Sequence, residues 1–135
     1  MQASILNAKL NQLDTLKTKR GKQNVTFTAV GYGLQKSFPD AASWKNAAVR
    51  ERMVAHPRLI QINGGLVGDF SLLLSNNANT GGTCFGDSGG PDLLGGSNIV
   101  LAVNSYVTNV NCSGVGYSAR VDIPEVLEWI NGFLE

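Results

Sequence analysis

The sequence is poor in residues that build metal sites and lacks an apolar stretch that could span a membrane. It contains one histidine, His56, and two cysteines, Cys84 and Cys112. A zinc site usually takes four ligands, mostly cysteine and histidine, so we expect no metal, and no motif indicates a cofactor. No apolar run approaches the roughly 20 residues of a transmembrane helix, so we expect no membrane partner.

Charge is also scarce and evenly balanced. Of 135 residues, 16% are charged and 43% are hydrophobic, and the net charge is +1. Basic residues do not cluster beyond the short patch Lys17–Lys22, which we expect to be a solvated loop. The composition predicts one soluble globular domain without a nucleic-acid partner.

Glycine is abundant, and it separates short β-type runs. Sixteen glycines alternate with segments rich in β-branched and aromatic residues, of which Val25–Val30 is the clearest. This pattern is typical of an all-β sandwich or barrel with many tight turns. Strands are predicted at Val25–Tyr32, Ala48–Ala55, Leu59–Asn63, Phe70–Leu74, Ile99–Val107 and Tyr117–Val121.

A helix is predicted at each end of the chain, so that the barrel is closed by a terminal helix. In the C-terminal one, Asp122 can cap, Pro124 occupies the first turn and Glu125 complements the positive end of the helix dipole. The N-terminal one covers Ile5–Leu16. Both carry apolar stripes that we expect to pack in the core: Val126, Trp129, Ile130 and Phe133 in the first, and Leu6, Leu10, Leu13 and Leu16 in the second.

The segment Gly82–Pro91 places a serine between glycines. A serine hydroxyl is a weak nucleophile unless a base takes its proton and hydrogen-bond donors stabilise the oxyanion that forms. Gly86 has no Cβ to crowd a substrate carbonyl, so the N–H groups of Gly86 and Ser88 are predicted to form an oxyanion hole. An isolated Gly-x-Ser-x-Gly motif, however, more often marks a structural turn.

The full string Gly86–Pro91 (Gly-Asp-Ser-Gly-Gly-Pro) resembles the nucleophile motif of the chymotrypsin/trypsin family of serine proteases. Val100–Tyr106 is similar to the family strand that binds substrate backbone, and Cys112 follows at the expected interval. Upstream, Thr28–Gly33 resembles the strand that opens the second barrel. The closing segments resemble the family's last strand and C-terminal helix, so the likeness covers nearly the whole chain from about Val25.

The resemblance implies an all-β fold, namely the Greek-key β-barrel that forms the second half of a two-barrel protease, followed by a C-terminal helix. We divide the chain into a partly helical segment, 1–24, connecting from the missing first barrel, a barrel, 25–122, and a helix, 123–135. A peptide or protein substrate and the first barrel, from the same precursor or from a separate chain, are the expected partners.

The family's catalytic roles can be carried over to this sequence. Ser88 matches the nucleophile, and Gly86 and Ser88 match the oxyanion-hole amides. Asp87 matches the loop-ordering carboxylate, which pairs with a freshly cleaved N-terminal amine in the mature enzyme. Because that amine belongs to the absent half, we expect Asp87 to be unpaired and its loop disordered, since a buried unpaired charge is costly.

The primary specificity pocket departs from that of trypsin. Gly82 stands at the floor, where a trypsin-like enzyme carries an aspartate, and Val107 stands where an open pocket has glycine. Without a buried carboxylate nothing offsets the desolvation of a cationic side chain, so the resemblance implies a small or medium apolar guest. The substrate-binding residues that it implies are Gly82, Thr83, Phe85, Ser105, Tyr106 and Val107.

Cys84 and Cys112 match the disulfide that bridges the pocket walls. Closing such a loop of roughly 28 residues stabilises the fold by about 3–4 kcal/mol. A disulfide favours an oxidising compartment, yet the residues after Met1 do not form a secretory signal. The simplest resolution is a secreted or extracytoplasmic protein whose sequence begins here within a longer one.

The chain lacks a complete catalytic triad. In the family both the histidine and its aspartate lie in the first barrel, and His56 lacks the sequence context of a catalytic histidine. We therefore expect His56 to be a structural or surface residue. The acidic residues expected to be solvated or to cap helices are Asp14, Asp40, Asp69, Asp92 and Asp122.

Three functions are compatible with these observations. The first is the C-terminal half of a serine endopeptidase, which hydrolyses peptide bonds through an acyl-enzyme at Ser88 and is inactive alone. The second is a non-catalytic half-barrel that grips extended peptides along Val103–Val107 by strand addition. The third is a hydrolase that recruits His56, for example across a homodimer.

Overall fold

The computed structural model describes residues 5–16, 24–35, 50–63 and 68–134. Within these ranges the chain is mostly β, with one short 3-10 turn at Gln12–Thr15 and one α-helix, α1, at Pro124–Asn131. The strands are β1 Leu6–Asn7, β2 Phe27–Gly31, β3 Met53–Ala55, β4 Leu59–Ile62, β5 Ser71–Asn76, β6 Pro91–Leu94, β7 Ile99–Val107 and β8 Gly114–Arg120.

The strands form a curled sheet in the order β3-β2-β6-β7-β8-β5-β4, with β1 added in parallel to β7. Every neighbouring pair along the main path is antiparallel. The two ends of this path approach each other, because the start of β4 lies beside the start of β2. Phe27 N donates to Pro57 O at 2.8 Å, and Leu59 N donates to Val25 O at 2.9 Å. The predicted all-β barrel with a C-terminal helix is therefore confirmed.

The barrel interior is filled by side chains from alternate positions of the strands. Phe27, Leu59, Leu72 and Leu101 are fully buried, and each comes from a different strand. Because successive residues of a strand point to opposite faces, the alternation places one side of the sheet in this core. Leu13 of the N-terminal segment joins them and closes one end.

Strand prediction succeeded where the apolar run was long. The prediction for Ile99–Val107 matches β7 at both ends, whereas Tyr117–Val121 covers only the second half of β8. β6 was missed because Pro91 and Asp92 are poor strand formers. Of the strand predicted at Ala48–Ala55, the last residues form β3, and its beginning lies outside the described residues.

The predicted N-terminal helix over Ile5–Leu16 is wrong. Its first residues form β1 and its later ones the 3-10 turn, and Leu6 and Leu10 are more than half exposed. The segment is held by bonds to distant parts of the chain: Leu6 N donates to Asn98 O at 2.8 Å, and Asn11 N donates to Asp122 O at 2.8 Å. These tertiary contacts outweigh a weak local helix preference.

Asp122 does not cap α1, contrary to the prediction, and it is not solvated. The residue before the helix is Ile123, with no side-chain cap. Asp122 is fully buried, and its carboxylate accepts from Arg120 Nε at 2.8 Å, from Arg120 Nη2 at 2.9 Å and from Leu13 N at 2.7 Å. Arg120 Nη1 also donates to Asp14 Oδ1 at 3.0 Å. The pair thus binds the N-terminal segment to the barrel.

The apolar stripe of α1 is only partly in the core. Val126 and Ile130 pack against the barrel, but Trp129 and Phe133 are 67% and 72% exposed and contact each other edge to face, with ring centroids 4.8 Å apart. A helix of this length meets the barrel along one narrow line. The prediction that the whole stripe is core is therefore wrong for these two aromatic residues.

The Arg120–Asp122 pair provides a stability test. Asp122→Ala leaves the Arg120 guanidinium, 3% exposed, without its bidentate partner. Breaking a buried pair on one side typically costs about 3–5 kcal/mol, so we expect a loss of this size in urea unfolding. The matched control is Asp69→Ala at an exposed position, which should change stability by less than about 0.5 kcal/mol. Equal, small effects of both substitutions would contradict the role given to the pair.

Candidate active site

The turn that carries Ser88 is braced by its own backbone and by β7. Asp87 N donates to Cys84 O at 3.1 Å, and Gly90 N donates to Asp87 O at 2.9 Å. Gly89 N donates to Asn104 O, and Asn104 N donates back to Gly90 O, both at 2.9 Å. Because Asn104 lies within the longest strand, these reciprocal bonds fix the exposed Ser88 against a rigid element.

Asp87 is not unpaired, contrary to the expectation. Its Oδ1 accepts from Gly33 N at 2.8 Å and its Oδ2 accepts from Cys84 N at 2.9 Å. Hydrogen bonds from backbone N–H groups to a carboxylate are charge-assisted and therefore strong. The carboxylate thus ties the nucleophile turn to the segment after β2, and Leu34 N to Phe85 O, at 2.9 Å, adds a second tie.

Two glycines make room for this carboxylate. A Cβ on Gly33 would lie 2.6 Å from Asp87 Cγ, and a Cβ on Gly31 would collide with Asp87 Oδ1. Asp87 also lies on the wall of a cavity of about 190 Å³ between the end of β2 and the edge strand β3. Gly31 and Gly33 are thus explained by the close approach of the Asp87 side chain, which follows them by more than fifty positions in sequence.

Ser88 lies at a second cavity, of about 170 Å³. Its Oγ donates to the carbonyl of Ser105 at 3.1 Å. The residues lining this cavity are Thr83, Cys84, Phe85, Asp87, Ser88, Asn104, Ser105, Tyr106 and Val107. All the predicted substrate-binding residues except Gly82 therefore meet around the serine.

Gly82 instead lines the cavity beside Asp87. A Cβ on Gly82 would collide with the side chain of Asn76, whose Nδ2 donates to Thr83 O at 2.7 Å. Asn76 thus fills the space that a larger residue at position 82 would need. A cation-binding carboxylate at this position has no room.

Cys84 and Cys112 form a disulfide, as predicted, with a Cα–Cα distance of 5.3 Å and a sequence separation of 28. Cys84 lines the Ser88 cavity, and Cys112 is buried in the segment before β8. The bond therefore connects the nucleophile turn to the loop between β7 and β8. The rings of Tyr106, which also lines the Ser88 cavity, and Tyr117 are stacked with centroids 4.4 Å apart.

The family model that matches the sequence is Trypsin, over residues 5–130. The chain belongs to the trypsin family. No curated protein matches it. A mutant of human heparin-binding protein (CAP37) is similar in fold, with a TM-score of 0.67 and 18% identity over 96% of this chain and 49% of that one. HL collagenase gives a TM-score of 0.66 and 18% identity over 98% of this chain and 56% of the other.

This member of the trypsin family spans about half the length of the solved structures it matches. At such identities the similarity shows the fold alone. Among the described residues, no helix is long and apolar enough to cross a membrane.

Donors for an oxyanion are available beside Ser88 in this trypsin-family chain. Gly86 has a positive φ of 97°, which favours glycine. In the described part of the chain, the backbone N–H groups of Gly86 and Ser88 donate to no protein acceptor. Such free, fixed N–H groups are what an oxyanion hole requires.

His56 lies away from the serine cavity. It is exposed between β3 and β4, its backbone N donates to Thr80 O at 3.0 Å, and its Nδ1 lies 3.5 Å from Thr28 Oγ1. It is not among the residues that line the cavity of Ser88. Within the described ranges, the structure therefore brings no imidazole to Ser88.

A buried polar cluster behind Ser88 was missed by the sequence analysis. Asp92, predicted to be solvated or capping, is fully buried, and Asn104 and Ser118 are 5% and 2% exposed. With the Asn104 amide oriented to satisfy both its ends, its nitrogen lies 3.0 Å from Asp92 Oδ1 and 3.1 Å from Oδ2. The available signal was an acid directly beside the apolar pair Leu93 and Leu94.

Burial raises the pKa of Asp92 to about 7, against the lowering effect of a hydrogen bond from Ser118. No charged side chain forms an ion pair with Asp92 in the described ranges. A carboxylate without a cationic partner is disfavoured in an apolar interior. The ionisation of Asp92 therefore opposes folding.

The role of Gly33 can be tested with Gly33→Ala. The added methyl group displaces the Asp87 carboxylate, and overpacking of this kind costs about 1–3 kcal/mol. We expect that loss in chemical unfolding, together with faster amide hydrogen exchange at Asp87 and Gly90, whose N–H groups donate within the turn. Gly96→Ala is the control, because a Cβ there meets nothing within 4 Å and the glycine has no positive φ. Unchanged exchange at Asp87 and Gly90 in Gly33→Ala would contradict the role given to the Asp87 tie.

Asp92 predicts an unusual dependence of stability on pH. The pKa of Asp92 in the folded state lies above its ordinary value of 3.8. The contribution of Asp92 to stability is therefore complete below pH 3.8 and is lost as the pH rises through about 7, because the unfolded chain ionises more readily than the folded one. Between pH 5 and pH 8 this loss amounts to about 2–3 kcal/mol.

Asp92→Asn removes the titrating group and should abolish this part of the pH dependence. Urea unfolding of both proteins at pH 5 and pH 8 measures this dependence. The free energy of unfolding of the variant, relative to that of the wild type, should be higher at pH 8 than at pH 5. Asp69→Asn, at an exposed site, should follow the wild-type curve. A wild type and an Asp92→Asn variant with parallel pH profiles would show that Asp92 is ionised across this range.

Proposed function

We propose that this chain is the nucleophile-bearing half of a serine endopeptidase. The observation that carries the proposal is the arrangement around Ser88: an exposed hydroxyl on a braced turn, at the mouth of a cavity, beside the unengaged N–H groups of Gly86 and Ser88. A substrate carbonyl placed over Ser88 would direct its oxygen to these donors. Losing one such donor typically costs about 2.7–4 kcal/mol of transition-state stabilisation.

The reaction would proceed through an acyl-enzyme. Ser88 Oγ attacks the peptide carbonyl while a base takes the hydroxyl proton, and the base then gives this proton to the leaving amine. In the second step the base takes a proton from water, which attacks the acyl group, and returns it to Ser88 Oγ as the acid leaves. The hydroxyl now donates to Ser105 O, so an arriving imidazole would have to compete with a carbonyl acceptor. The catalytic histidine and aspartate are supplied by a first barrel, in a longer form of the chain or in a separate one.

Asp87 would switch the site on. An N-terminal amine entering the cavity of about 190 Å³ beside Asp87 would pair with its carboxylate, which already accepts from Gly33 N and Cys84 N. An ion pair added to these two bonds would hold the turn more firmly. The chain without the amine is then the resting form of the loop.

The substrate would bind as an added strand along the end of β7. Its backbone would run beside Ser105, Tyr106 and Val107, and the side chain before the scissile bond would enter the cavity closed by the disulfide. The restricted volume of about 170 Å³ and Val107 at its wall favour a small or medium apolar side chain. A secreted protein is consistent with the disulfide.

A second candidate function is a peptide-binding half-barrel without catalysis. It is favoured by the bond from Ser88 Oγ to Ser105 O and by the absence of a base at the serine among the described residues. The same strand end and cavity would then bind peptides without cleaving them. Reactivity of Ser88 separates the two candidates.

A fluorophosphonate probe tests the proposal. For the chain alone we expect labelling no faster than that of the Ser88→Ala variant, because no base is in place. In its native source, the protein should be found as a species of about twice 14.3 kDa, or with a partner of similar size, and that species should label at Ser88. A native species of 14.3 kDa that neither labels nor carries a partner would support the peptide-binding half-barrel instead.

Rapid labelling of the chain alone would require a base within it. His56→Ala then decides its identity: loss of labelling would assign the base to His56, and retention would exclude it. Either outcome would overturn the proposal that a first barrel supplies the base.

A further inference from the structure

Behind the nucleophile turn, the buried carboxylate of Asp92 faces one polar side chain of the central strand. Asp92 lies on β6 opposite Ala102 of β7 and Ala29 of β2. Its two oxygens both receive the Asn104 amide nitrogen, at 3.0 and 3.1 Å. An ionised carboxylate accepts hydrogen bonds and donates none, so it fixes which end of the amide faces inward.

The other end of the Asn104 amide lies against the Ser88 turn. A Cβ on Gly90 would be 3.4 Å from that end, and hydrogen-bond donors face it. Through its backbone, Asn104 also exchanges bonds with Gly89 and Gly90, and the next residue, Ser105, accepts from Ser88 Oγ. Asn104 lines the Ser88 cavity as well. One side chain therefore separates the buried acid from the nucleophile.

The charge of Asp92 has no cationic counterpart in the described part of the chain. From β2 and β7 its paired neighbours are alanines. From β8 it receives a hydrogen bond from Ser118, and Arg120 of the same strand is engaged by Asp122 and Asp14. The two polar side chains that face it, Asn104 and Ser118, do not titrate near neutral pH. Asp92 is therefore the group in this cluster whose ionisation changes with pH, and burial sets its pKa.

We propose that Asp92 is a positioning residue for Ser88, which acts by fixing the Asn104 amide and releases the nucleophile turn when it takes up a proton. In the ionised form both oxygens accept, and the amide oxygen is turned towards the donors on its other side, next to Gly90 of the turn. In the neutral form the carboxyl O–H must itself find an acceptor. The amide oxygen of Asn104 is within reach, but only if the amide rotates and turns its NH₂ towards those same donors.

The coupling between the protonation of Asp92 and the Ser88 turn does not depend on the proposed function. Its effect on catalysis does rest on the proposed function. In a complete endopeptidase it would add a pH dependence that belongs to the second barrel and is separate from the titration of a catalytic histidine. Ser88 would be best positioned on the alkaline side, where Asp92 is ionised. The same ionisation lowers the stability of the fold, so the site would gain order at the expense of global stability.

The test is an NMR titration of the full chain from pH 4 to pH 9, with ¹³C detection of aspartate Cγ and ¹⁵N detection of amides. We expect Asp92 Cγ to titrate well above pH 3.8, towards about 7. The Asn104 side-chain NH₂ and the backbone amides of Ser88, Gly89 and Gly90 should shift with the same midpoint. An Asp92 that titrates while the Ser88–Gly90 amides stay constant would overturn the proposal, as would an Asp92 that titrates near the ordinary value.

Three variants identify the route of the coupling. In Asp92→Asn, which keeps the size of the side chain, the shifts at Ser88 to Gly90 should disappear. In Asn104→Ala, Asp92 should still titrate while those amides no longer follow it. Asp69→Asn, at an exposed site, should leave every midpoint unchanged. Shifts that persist in Asp92→Asn would assign them to another group and refute the proposal.

The outcome does not depend on both variants folding. If Asp92→Asn fails to fold, the wild-type titration decides the question. Equal midpoints for Asp92 Cγ and the Ser88–Gly90 amides would support the proposal, and different midpoints would overturn it. Because no step of the titration requires catalysis, a negative result leaves the proposed endopeptidase function standing. Failure of that function in the fluorophosphonate experiment would likewise leave the coupling intact.

Discussion

The carboxylate of Asp87 connects the nucleophile turn to the end of β2, and the geometry of the candidate site depends on this connection. It accepts one hydrogen bond from Gly33 and one from Cys84, so it fixes both the start of the turn and its distance from the barrel. Gly31 and Gly33 are needed because any side chain there would occupy the place of the carboxylate. Without this tie the N–H groups of Gly86 and Ser88 would have no fixed direction.

Among the described residues two acids are fully buried, Asp92 and Asp122, and they differ in which groups interact with their charge. Asp122 is paired bidentately with Arg120 and serves as an anchor for the N-terminal segment. Asp92 has only neutral donors, from Asn104 and Ser118, and its pKa is raised by burial. The charge of Asp122 stabilises the fold through its pairing with Arg120, whereas the charge of Asp92, which lies behind the Ser88 turn, destabilises it.

The sequence was most informative where a signal is local. The Gly86–Pro91 string around Ser88 carried the resemblance to the trypsin family, and that resemblance implied the disulfide between Cys84 and Cys112, which the structure contains. Ile99–Val107 was predicted as a strand because its apolar run is long and bounded by turns. The N-terminal helix failed because the spacing of Leu6, Leu10 and Leu13 was outweighed by hydrogen bonds to Asn98 and Asp122, which no local pattern reveals.

By itself, then, the sequence indicated the all-β class through its short β-type runs, and its resemblance to the trypsin family implied the family and the pairing of the two cysteines, since both signals rest on residue identity. Only the tertiary structure decided that Asp87 is held by two backbone N–H groups, that Asn76 closes the space at Gly82, and that Asp92 is buried against Asn104. Each of these depends on which strands become neighbours in the curled sheet. Burial and hydrogen-bond partners are properties of that packing, and segments far apart in the chain acquire them only when the barrel forms.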